Sequence, residues 1–114
     1  MQRRCRFGAL LLVLIMTPDL AARADCFDVY GCTDKNLFRL NDIFETEATC
    51  DFLYQIRNGI YKAHGYCFHT PRAISELGND GCWIKDQSQV RLNRIEEANA
   101  ATLLQAEKQK GCPE

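Results

Sequence analysis

Seven cysteines in a chain of 114 residues limit the folds that this sequence can adopt. One of them, Cys5, lies in an N-terminal segment with the features of a secretion signal, so six remain after export. An even number of cysteines in a short exported chain predicts a disulfide framework. The sequence contains no Cys-x-x-Cys pair of the kind that binds metal ions. Three disulfides are therefore predicted among the remaining cysteines, which are Cys26, Cys32, Cys50, Cys67, Cys82 and Cys112.

The predicted secretion signal occupies residues 1–24 and has the three parts of a cleavable leader. Three arginines form its basic start, residues 7–17 form its apolar middle, and a small-x-small cleavage site ends at Ala24. The apolar stretch of about eleven residues is shorter than the roughly 20 that span a bilayer. We therefore expect cleavage near Ala24, a periplasmic or secreted mature protein, and no membrane span after processing.

Removal of the leader changes the charge of the chain, because the leader contains four arginines and one aspartate. The 14 basic and 15 acidic residues of the full sequence fall to 10 and 14, a net charge of −4. Nucleic acid and anionic lipid would not be attracted to such a protein, and acidic wall polymers are disfavoured unless one face is locally basic. The expected partner is an unknown envelope protein or cell-wall component, and no nucleic acid, metal or cofactor is predicted.

The stretch from Asp51 to Phe68 predicts the main helix of the domain. Apolar residues recur in it at helical spacing and form one stripe: Leu53, Ile56, Ile60 and Ala63. A second face carries polar and aromatic residues at the same spacing: Tyr54, Arg57 and Tyr61. Gly65 is expected to end the helix, because glycine adopts the left-handed cap conformation without steric cost.

Two motifs in the chain carry a family resemblance. The first is Arg57-Asn58-x-Ile60-Tyr61-x-x-His64-Gly65-Tyr66-x-Phe68, and it resembles the core of the YARHG domain, a small extracellular domain of bacterial envelope proteins. The second is Leu92-Asn93-x-x-Glu96-x-x-Asn99, which resembles the end of the same domain. The resemblance covers residues 51–112, after an N-terminal arm over residues 25–50. It implies a small exported domain without an established biochemical activity.

The chain departs from the family signature at one point. Residues 61–65 read Tyr-Lys-Ala-His-Gly, where the family name spells Tyr-Ala-Arg-His-Gly. Lys62 therefore moves the cation by one position, and Ala63 takes the place of the arginine.

Cap residues predict two further helices and a small all-α fold stabilised by disulfides. Thr70 and Pro71 are expected to begin a two-turn helix that ends at Gly78. Asn93 is expected to cap a helix over residues 94–110, with Glu96 completing a capping box and Gly111 following the helix. The predicted buried stripe of this last helix contains Ile95, Ala98, Leu103 and Ala106, and the polar Asn99 lies within it.

Weaker signals occur in the N-terminal arm and before the last helix. Thr33 or Asp34 is expected to cap a short helical turn that continues to Leu40. Asn41 or Asp42 is expected to cap a second short turn. Residues 85–92 lack any periodicity and predict a loop.

Helix geometry removes some of the 15 pairings that six cysteines allow. A helix over residues 51–64 spans ~21 Å, whereas the Cα atoms of a disulfide lie within ~7 Å, so Cys50–Cys67 is excluded. Cys26 and Cys32 flank a short turn and are expected to pair with each other. Two pairings of the other four cysteines survive. Cys50–Cys112 with Cys67–Cys82 is preferred, because two antiparallel helices bring the start of one beside the end of the other.

The polar and aromatic residues of the first family motif are the candidates for a binding site. They are Arg57, Asn58, Tyr61, His64 and Tyr66. An anion, a sugar or an acid–base reaction would suit these groups, but a structural network is favoured, because buried polar groups are costly unless paired. In that network Arg57 bonds Glu96, and Asn58 or the nearby backbone bonds Asn99. His64 is expected to cap the carbonyls at the end of the main helix.

No catalytic residue and no metal ligand is predicted. Ser75 and Ser88 have no nucleophile motif around them. His64 and His69 lack the spacing and the number of partners that zinc requires. The cysteine thiols are expected to be oxidised and therefore unreactive.

Trp83 is the only tryptophan of the chain. It could form a sugar platform with Tyr66 and Phe68, but a lone tryptophan beside a cysteine is expected in the core. The predicted function is a non-catalytic exported binding or interaction module of the bacterial cell envelope, with an unknown ligand. The alternatives are a small periplasmic hydrolase that uses His64, and a periplasmic enzyme inhibitor that uses the loop over residues 79–92.

Overall fold

The computed structural model describes residues 25–114, so the predicted signal peptide and its cleavage site at Ala24 lie outside the described residues. The described residues form four α-helices: α1 (Leu40–Glu45), α2 (Cys50–Ala63), α3 (Pro71–Leu77) and α4 (Arg94–Lys110). Two short strands, β1 (Cys26–Phe27) and β2 (Gly31–Cys32), pair as an antiparallel hairpin before them. The helices confirm the predicted all-α class, to which the structure adds this hairpin.

The helix α2 forms where the sequence predicts the main helix, because both of its ends carry cap signals. The Thr49 side chain accepts a hydrogen bond from the Phe52 N–H at 3.2 Å and begins the helix. His64 is the C-cap, and Gly65 follows it in a left-handed conformation with a φ of 86°. The predicted apolar stripe faces the core: Leu53, Ile56 and Ile60 are buried, and Ala63 is half-buried.

The helices α3 and α4 also begin at the predicted caps. Thr70 accepts a hydrogen bond from the Ala73 N–H, and Pro71 occupies the first turn of α3. In α4, Asn93 accepts from the Glu96 N–H at 2.8 Å, and the Glu96 carboxylate accepts from the Asn93 N–H at 3.0 Å. These reciprocal bonds form the predicted capping box, and the left-handed Gly111 ends the helix.

The buried face of α4 differs from the predicted stripe. Ala98 is exposed, although it was predicted to be buried, and Ile95 is half-buried. The buried residues of the helix are Glu96, Asn99, Ala100, Leu103, Ala106 and Glu107, and three of these six are polar. Burial of Asn99, Leu103 and Ala106 was predicted and is confirmed, whereas Glu96 and Glu107 are buried because each contacts a residue on or at the end of α2.

Three disulfides connect these elements: Cys26–Cys32, Cys50–Cys112 and Cys67–Cys82. Cys50 is the first residue of α2 and Cys112 follows α4, with their Cα atoms 5.5 Å apart, so the two helices run antiparallel. Cys67–Cys82 holds the loop after α3 against the segment that follows α2. This set of bonds is the one that helix geometry favoured.

The N-terminal arm packs on α4 through the amide of Asn99, whose side chain is fully buried. Asn99 Nδ2 donates to the carbonyls of Thr33 at 2.9 Å and Asn36 at 2.8 Å. Asn99 Oδ1 accepts from the Phe38 N–H at 2.8 Å. One side chain on α4 therefore satisfies three backbone groups of the arm.

These bonds explain why the first short helical turn predicted in the arm does not form. The backbone groups that a helix after Thr33 would use are bonded to Asn99 instead. The helix α1 begins only after Arg39, which makes no side-chain cap bond, so the predicted caps at Asn41 and Asp42 are wrong. Apolar packing stabilises α1, since its Ile43 is buried in the core.

We expect the substitution Asn99→Ala to release the arm from α4. It leaves three buried backbone groups without partners, so the free energy of unfolding is expected to fall by about 3 kcal/mol. Amide exchange at Phe38 is expected to become faster, which hydrogen-exchange measurements on the exported, oxidised protein can detect. The matched control is Asn41→Ala, an exposed asparagine whose loss should change stability by less than about 0.5 kcal/mol. Unchanged exchange at Phe38 would contradict this role for Asn99.

Candidate functional site

Arg57 lies in the middle of α2 and contacts Glu107 of α4, so the predicted contact with Glu96 is wrong. Both Nε and Nη2 of Arg57 donate to the Glu107 carboxylate, with Nη2 3.2 Å from Oε1. The Glu107 side chain is only 7% exposed. The guanidinium carbon lies 5.7 Å from the centre of the Tyr54 ring. Arg57 therefore forms a structural ion pair with an aromatic neighbour, which is the kind of role that was favoured.

The alignment of the two antiparallel helices explains this partner. Starting from the Cys50–Cys112 disulfide, Arg57 lies about two turns along α2, and Glu107 lies about one and a half turns back along α4. Glu96 lies more than four turns from the same disulfide, roughly opposite the end of α2. Glu96 therefore meets the residue that ends α2, which is His64.

His64 contacts Glu96 at the far end of the helix pair. His64 Nε2 lies 2.7 Å from Glu96 Oε2, while Glu96 Oε1 accepts the hydrogen bond from the Asn93 N–H. Glu96 is almost fully buried, and the His64 side chain is 29% exposed. The prediction that the His64 side chain caps helix carbonyls is therefore wrong, because a buried carboxylate binds it. One glutamate both caps α4 and orients the imidazole.

Asn58 makes a hydrogen bond within its own helix. Its Nδ2 donates to the carbonyl of Tyr54, one turn earlier, at 2.9 Å. The predicted bond between Asn58 and Asn99 is wrong, because Asn99 faces the N-terminal arm instead.

Three of the five candidate residues meet at one cavity of about 270 Å³, here called the Arg57 cavity. Arg57, Asn58 and Tyr66 line it together with Tyr54, Phe68, His69, Thr70, Arg72, Ala73, Gln87 and Glu114. His64 lines a different cavity, and Tyr61 lines neither of the two but packs against the core. The five residues therefore do not form one site.

The cations of the Arg57 cavity already have carboxylate partners. Arg72 stacks on Tyr54, with its guanidinium carbon 3.8 Å from the ring centre. It contacts Asp51 at 3.0 Å and Glu76 at 3.3 Å. Desolvation acts to lower the pKa of Arg72, but the hydrogen bond and charge of Glu76 outweigh it and raise the pKa above its usual value. An anionic ligand would have to displace these carboxylates, so the cavity is poorly suited to anions.

The second cavity, here called the Trp83 cavity, has a volume of about 300 Å³. It is lined by His64, Trp83, Ile84, Gln89 and Arg91. Trp83 is 74% exposed, so the prediction that it lies in the core is wrong. Its indole lies against Gly65, where a side-chain Cβ would collide with the ring. Gly65 is therefore needed both to end α2 and to make room for Trp83.

Backbone bonds fix the position of Trp83 despite its exposure. The N–H groups of Trp83 and Ile84 both donate to the Gly65 carbonyl at 2.9 Å. The Cys67 N–H donates to the Ile84 carbonyl at 2.8 Å, and the Cys67–Cys82 disulfide closes the same connection. These bonds and the disulfide join residues 65–67 to residues 82–84, and Trp83 lies within this connection.

A 3₁₀ turn over Gln87–Gln89 positions the other side of the Trp83 cavity. Asp86 caps this turn, accepting from the Ser88 hydroxyl at 2.7 Å and from the Ser88 N–H at 3.0 Å. The hydroxyl bond and then the backbone bond hold the pKa of Asp86 below its usual value. The turn places Gln89 and Arg91 at the cavity, which the sequence did not predict because residues 85–92 show no periodic pattern.

The described residues contain neither a metal-binding cluster nor a membrane-spanning helix. Within residues 25–114, no group of three or more potential ligands is close enough to hold a metal ion. No helix in this part of the chain is long and apolar enough to cross a membrane. A wider cavity of about 550 Å³ lies between the hairpin and α2, and none of the five candidate residues lines it.

A sequence model of the YARHG domain matches residues 33–108 of the chain. The match extends through most of the N-terminal arm and nearly to the end of α4. No curated protein and no solved structure matches the chain. The YARHG domain is a small extracellular domain of unknown function.

The Arg57–Glu107 contact predicts energetic coupling between the two residues. Arg57→Ala and Glu107→Ala are each expected to lower the free energy of unfolding by about 3 kcal/mol, because each leaves a charge without its partner. The double variant is expected to lose clearly less than the sum, as measured by urea unfolding. Glu96→Ala is the control, and its effect should add to that of Arg57→Ala within about 0.5 kcal/mol. Coupling of Arg57 to Glu96 instead would show that the helix alignment is wrong.

Proposed function

The chain belongs to the YARHG domain family, and on that basis we propose that it is a non-catalytic binding module exported to the bacterial cell envelope. Its ligand is an envelope protein or a cell-wall component. The single observation that carries the proposal is the exposure of Trp83, a residue that is 74% exposed although hydrogen bonds fix its backbone. Exposed tryptophan on a rigid frame is typical of binding surfaces.

Export to the periplasm or the medium, after cleavage near Ala24, belongs to this proposal. It is supported by the three disulfides, which persist in oxidising compartments, and by the extracellular character of the family.

The internal partners of the polar residues support a non-catalytic role. The Arg57 and Glu107 charges neutralise each other, and Asn58 is bonded to its own helix. A group that already has a close partner must break that contact before it can act on a ligand. Such residues stabilise the packing of α2 on α4 and leave recognition to the exposed surface.

The fixed backbone around Trp83 is a further advantage for binding. The Cys67–Cys82 disulfide and the backbone bonds to Gly65 hold the tryptophan backbone in place before any ligand arrives. Association then requires less loss of conformational entropy, which raises affinity without additional contacts.

Retention on envelope material tests this function. The exported, oxidised protein is incubated with purified peptidoglycan sacculi and, separately, with a periplasmic extract from which bound material is captured. We expect the wild type to be retained by one of the two, and Trp83→Ala to lose at least about tenfold, as expected for an interface tryptophan. Leu37→Ala is the matched control, since Leu37 is 65% exposed on the N-terminal arm. Equal retention of all three proteins, or no retention in either assay, would contradict the proposal.

A hydrolase that uses His64 is the second candidate. The observation in its favour is the 2.7 Å contact between His64 Nε2 and the buried Glu96 carboxylate at the wall of the Trp83 cavity. A carboxylate that holds one imidazole nitrogen leaves the other able to accept a proton, as general bases require. The exposed loop that carries Trp83 would also suit an enzyme inhibitor. In that case, the protein captured from the periplasmic extract would be an enzyme.

We expect no turnover when wall fragments are incubated with the wild-type protein and products are followed by mass spectrometry. Turnover that disappears in His64→Ala but persists in His69→Ala would establish the hydrolase instead. His69 is the control because it is an exposed histidine that contacts the Lys85 carbonyl and the edge of the Tyr66 ring and does not line the Trp83 cavity.

A further inference from the structure

We infer that the Trp83 cavity binds a sugar ring that carries a carboxylate group. This inference rests on the proposed binding function and names the chemical class of its ligand. It uses the two kinds of group that the cavity presents, an exposed aromatic face and a cation that has no acidic partner within residues 25–114. The lining residues are His64, Trp83, Ile84, Gln89 and Arg91.

The aromatic face is provided by Trp83. The pyrrole ring of its indole lies against Gly65 at Nε1, and Trp83 is 74% exposed, so most of the side chain is accessible to a ligand. The face of an indole is electron-rich and attracts weakly positive groups. The C–H groups on one side of a pyranose ring are such groups, and Ile84 adds apolar surface beside the indole. A flat ring with an apolar side is therefore favoured over an extended flexible chain.

The cation is Arg91. Within residues 25–114, no carboxylate lies within ion-pair distance of its guanidinium, whereas Arg57 and Arg72 have acidic partners. None of the five lining residues is acidic. A guanidinium binds a carboxylate through two parallel hydrogen bonds, which provides both charge and orientation. The Trp83 cavity is thus a locally basic position on a mature chain that carries more acidic than basic residues.

The remaining polar groups suit hydroxyl and amide substituents. Gln89 offers an amide that both donates and accepts hydrogen bonds. His64 is fixed by Glu96, so it presents an imidazole of defined orientation. Because Glu96 is buried behind it, a protonated His64 would be neutralised by that carboxylate, and Arg91 remains the principal anion-binding group.

The size of the cavity limits the ligand to about one ring. A volume of about 300 Å³ lies at the lower end of the range for small-molecule pockets. A ligand of this size is expected to bind weakly, with a Kd of about 1 mM. A partner protein would require roughly 800 Å² of surface on each side, which is far more than this cavity alone provides.

The experiment compares two sugars that differ by one carboxylate-bearing substituent. The exported, oxidised, ¹⁵N-labelled protein is titrated with N-acetylmuramic acid and with N-acetylglucosamine, which lacks the lactyl carboxylate. We expect N-acetylmuramic acid to shift the Trp83 indole N–H signal and to bind at least about tenfold more tightly, since a guanidinium–carboxylate bond contributes on this scale. A third titration with glucuronic acid distinguishes a wall glycan from a uronic acid polymer as the source of the carboxylate.

Two arginine variants separate specific recognition from general charge. Arg91→Gln is expected to reduce the affinity for N-acetylmuramic acid to that for N-acetylglucosamine while the other backbone signals stay in place. Arg94→Gln removes another exposed arginine, which does not line the cavity, and should leave the tenfold difference intact. Trp83→Ala should abolish binding of both sugars.

Several results would overturn the inference. One is that the wild type binds the two amino sugars with equal affinity. Another is that Arg91→Gln still binds N-acetylmuramic acid about tenfold more tightly than N-acetylglucosamine. The third is that neither acidic sugar shifts the Trp83 indole N–H signal at about 20-fold the expected Kd. If retention on envelope material still depends on Trp83 in any of these cases, the binding function stands and only the ligand class is wrong. If retention fails as well, both are wrong.

Discussion

The antiparallel alignment of α2 and α4 determines which polar groups of this domain meet. Cys50–Cys112 fixes one end of the pair, and His64 with Glu96 closes the other. Arg57–Glu107 lies between them at a spacing that follows from the disulfide. Each polar pair would be costly if the helices shifted by one turn, because both members would lose their partners in a partly dry interface. The disulfide thus limits the alignments available, and the two polar pairs make the observed alignment specific.

The N-terminal arm completes the core that this helix pair begins. Phe27, Tyr30, Phe38 and Phe52 form a cluster in which ring centres lie 5.5 to 6.5 Å apart. A domain of about 90 residues has little interior, so the aromatic side chains that the arm contributes matter for its stability. Asn99 fixes how the arm lies on α4, because its amide can bond the three backbone groups of the arm in only one orientation of the arm. The family match begins at residue 33 and therefore includes the segment that Asn99 holds.

The sequence predicts the helices of this fold better than the contacts between them. Thr70, Asn93 and Gly111 act through bonds to near neighbours in the chain, so their residue types are enough to place the helix ends. The partner of Arg57 depends on the helix alignment. The preferred disulfide already implied that alignment, and counting turns from Cys50 and Cys112 would have selected Glu107.

Other features depend on contacts that no local pattern reveals. The exposure of Trp83 depends on the conformation of Gly65 and on bonds between segments that are distant in the chain. The bonds from Asn99 to the arm likewise join residues more than 60 positions apart. In both cases the residue type indicates that a partner is needed, but the fold decides which partner it is.

Most residues that define the family resemblance have internal partners, and His64 is the member of the two motifs that also lines the Trp83 cavity. Internal partners are found for four residues of the two motifs: Arg57, His64, Glu96 and Asn99. The motifs therefore contain residues that stabilise the packing of the helices and the N-terminal arm. Lys62 also has an internal partner, since it donates to the Leu77 carbonyl. Trp83 and Arg91 lie outside both motifs and contribute little to the core. A chain could therefore change the residues at these two positions, and with them its ligand, while it keeps the same fold.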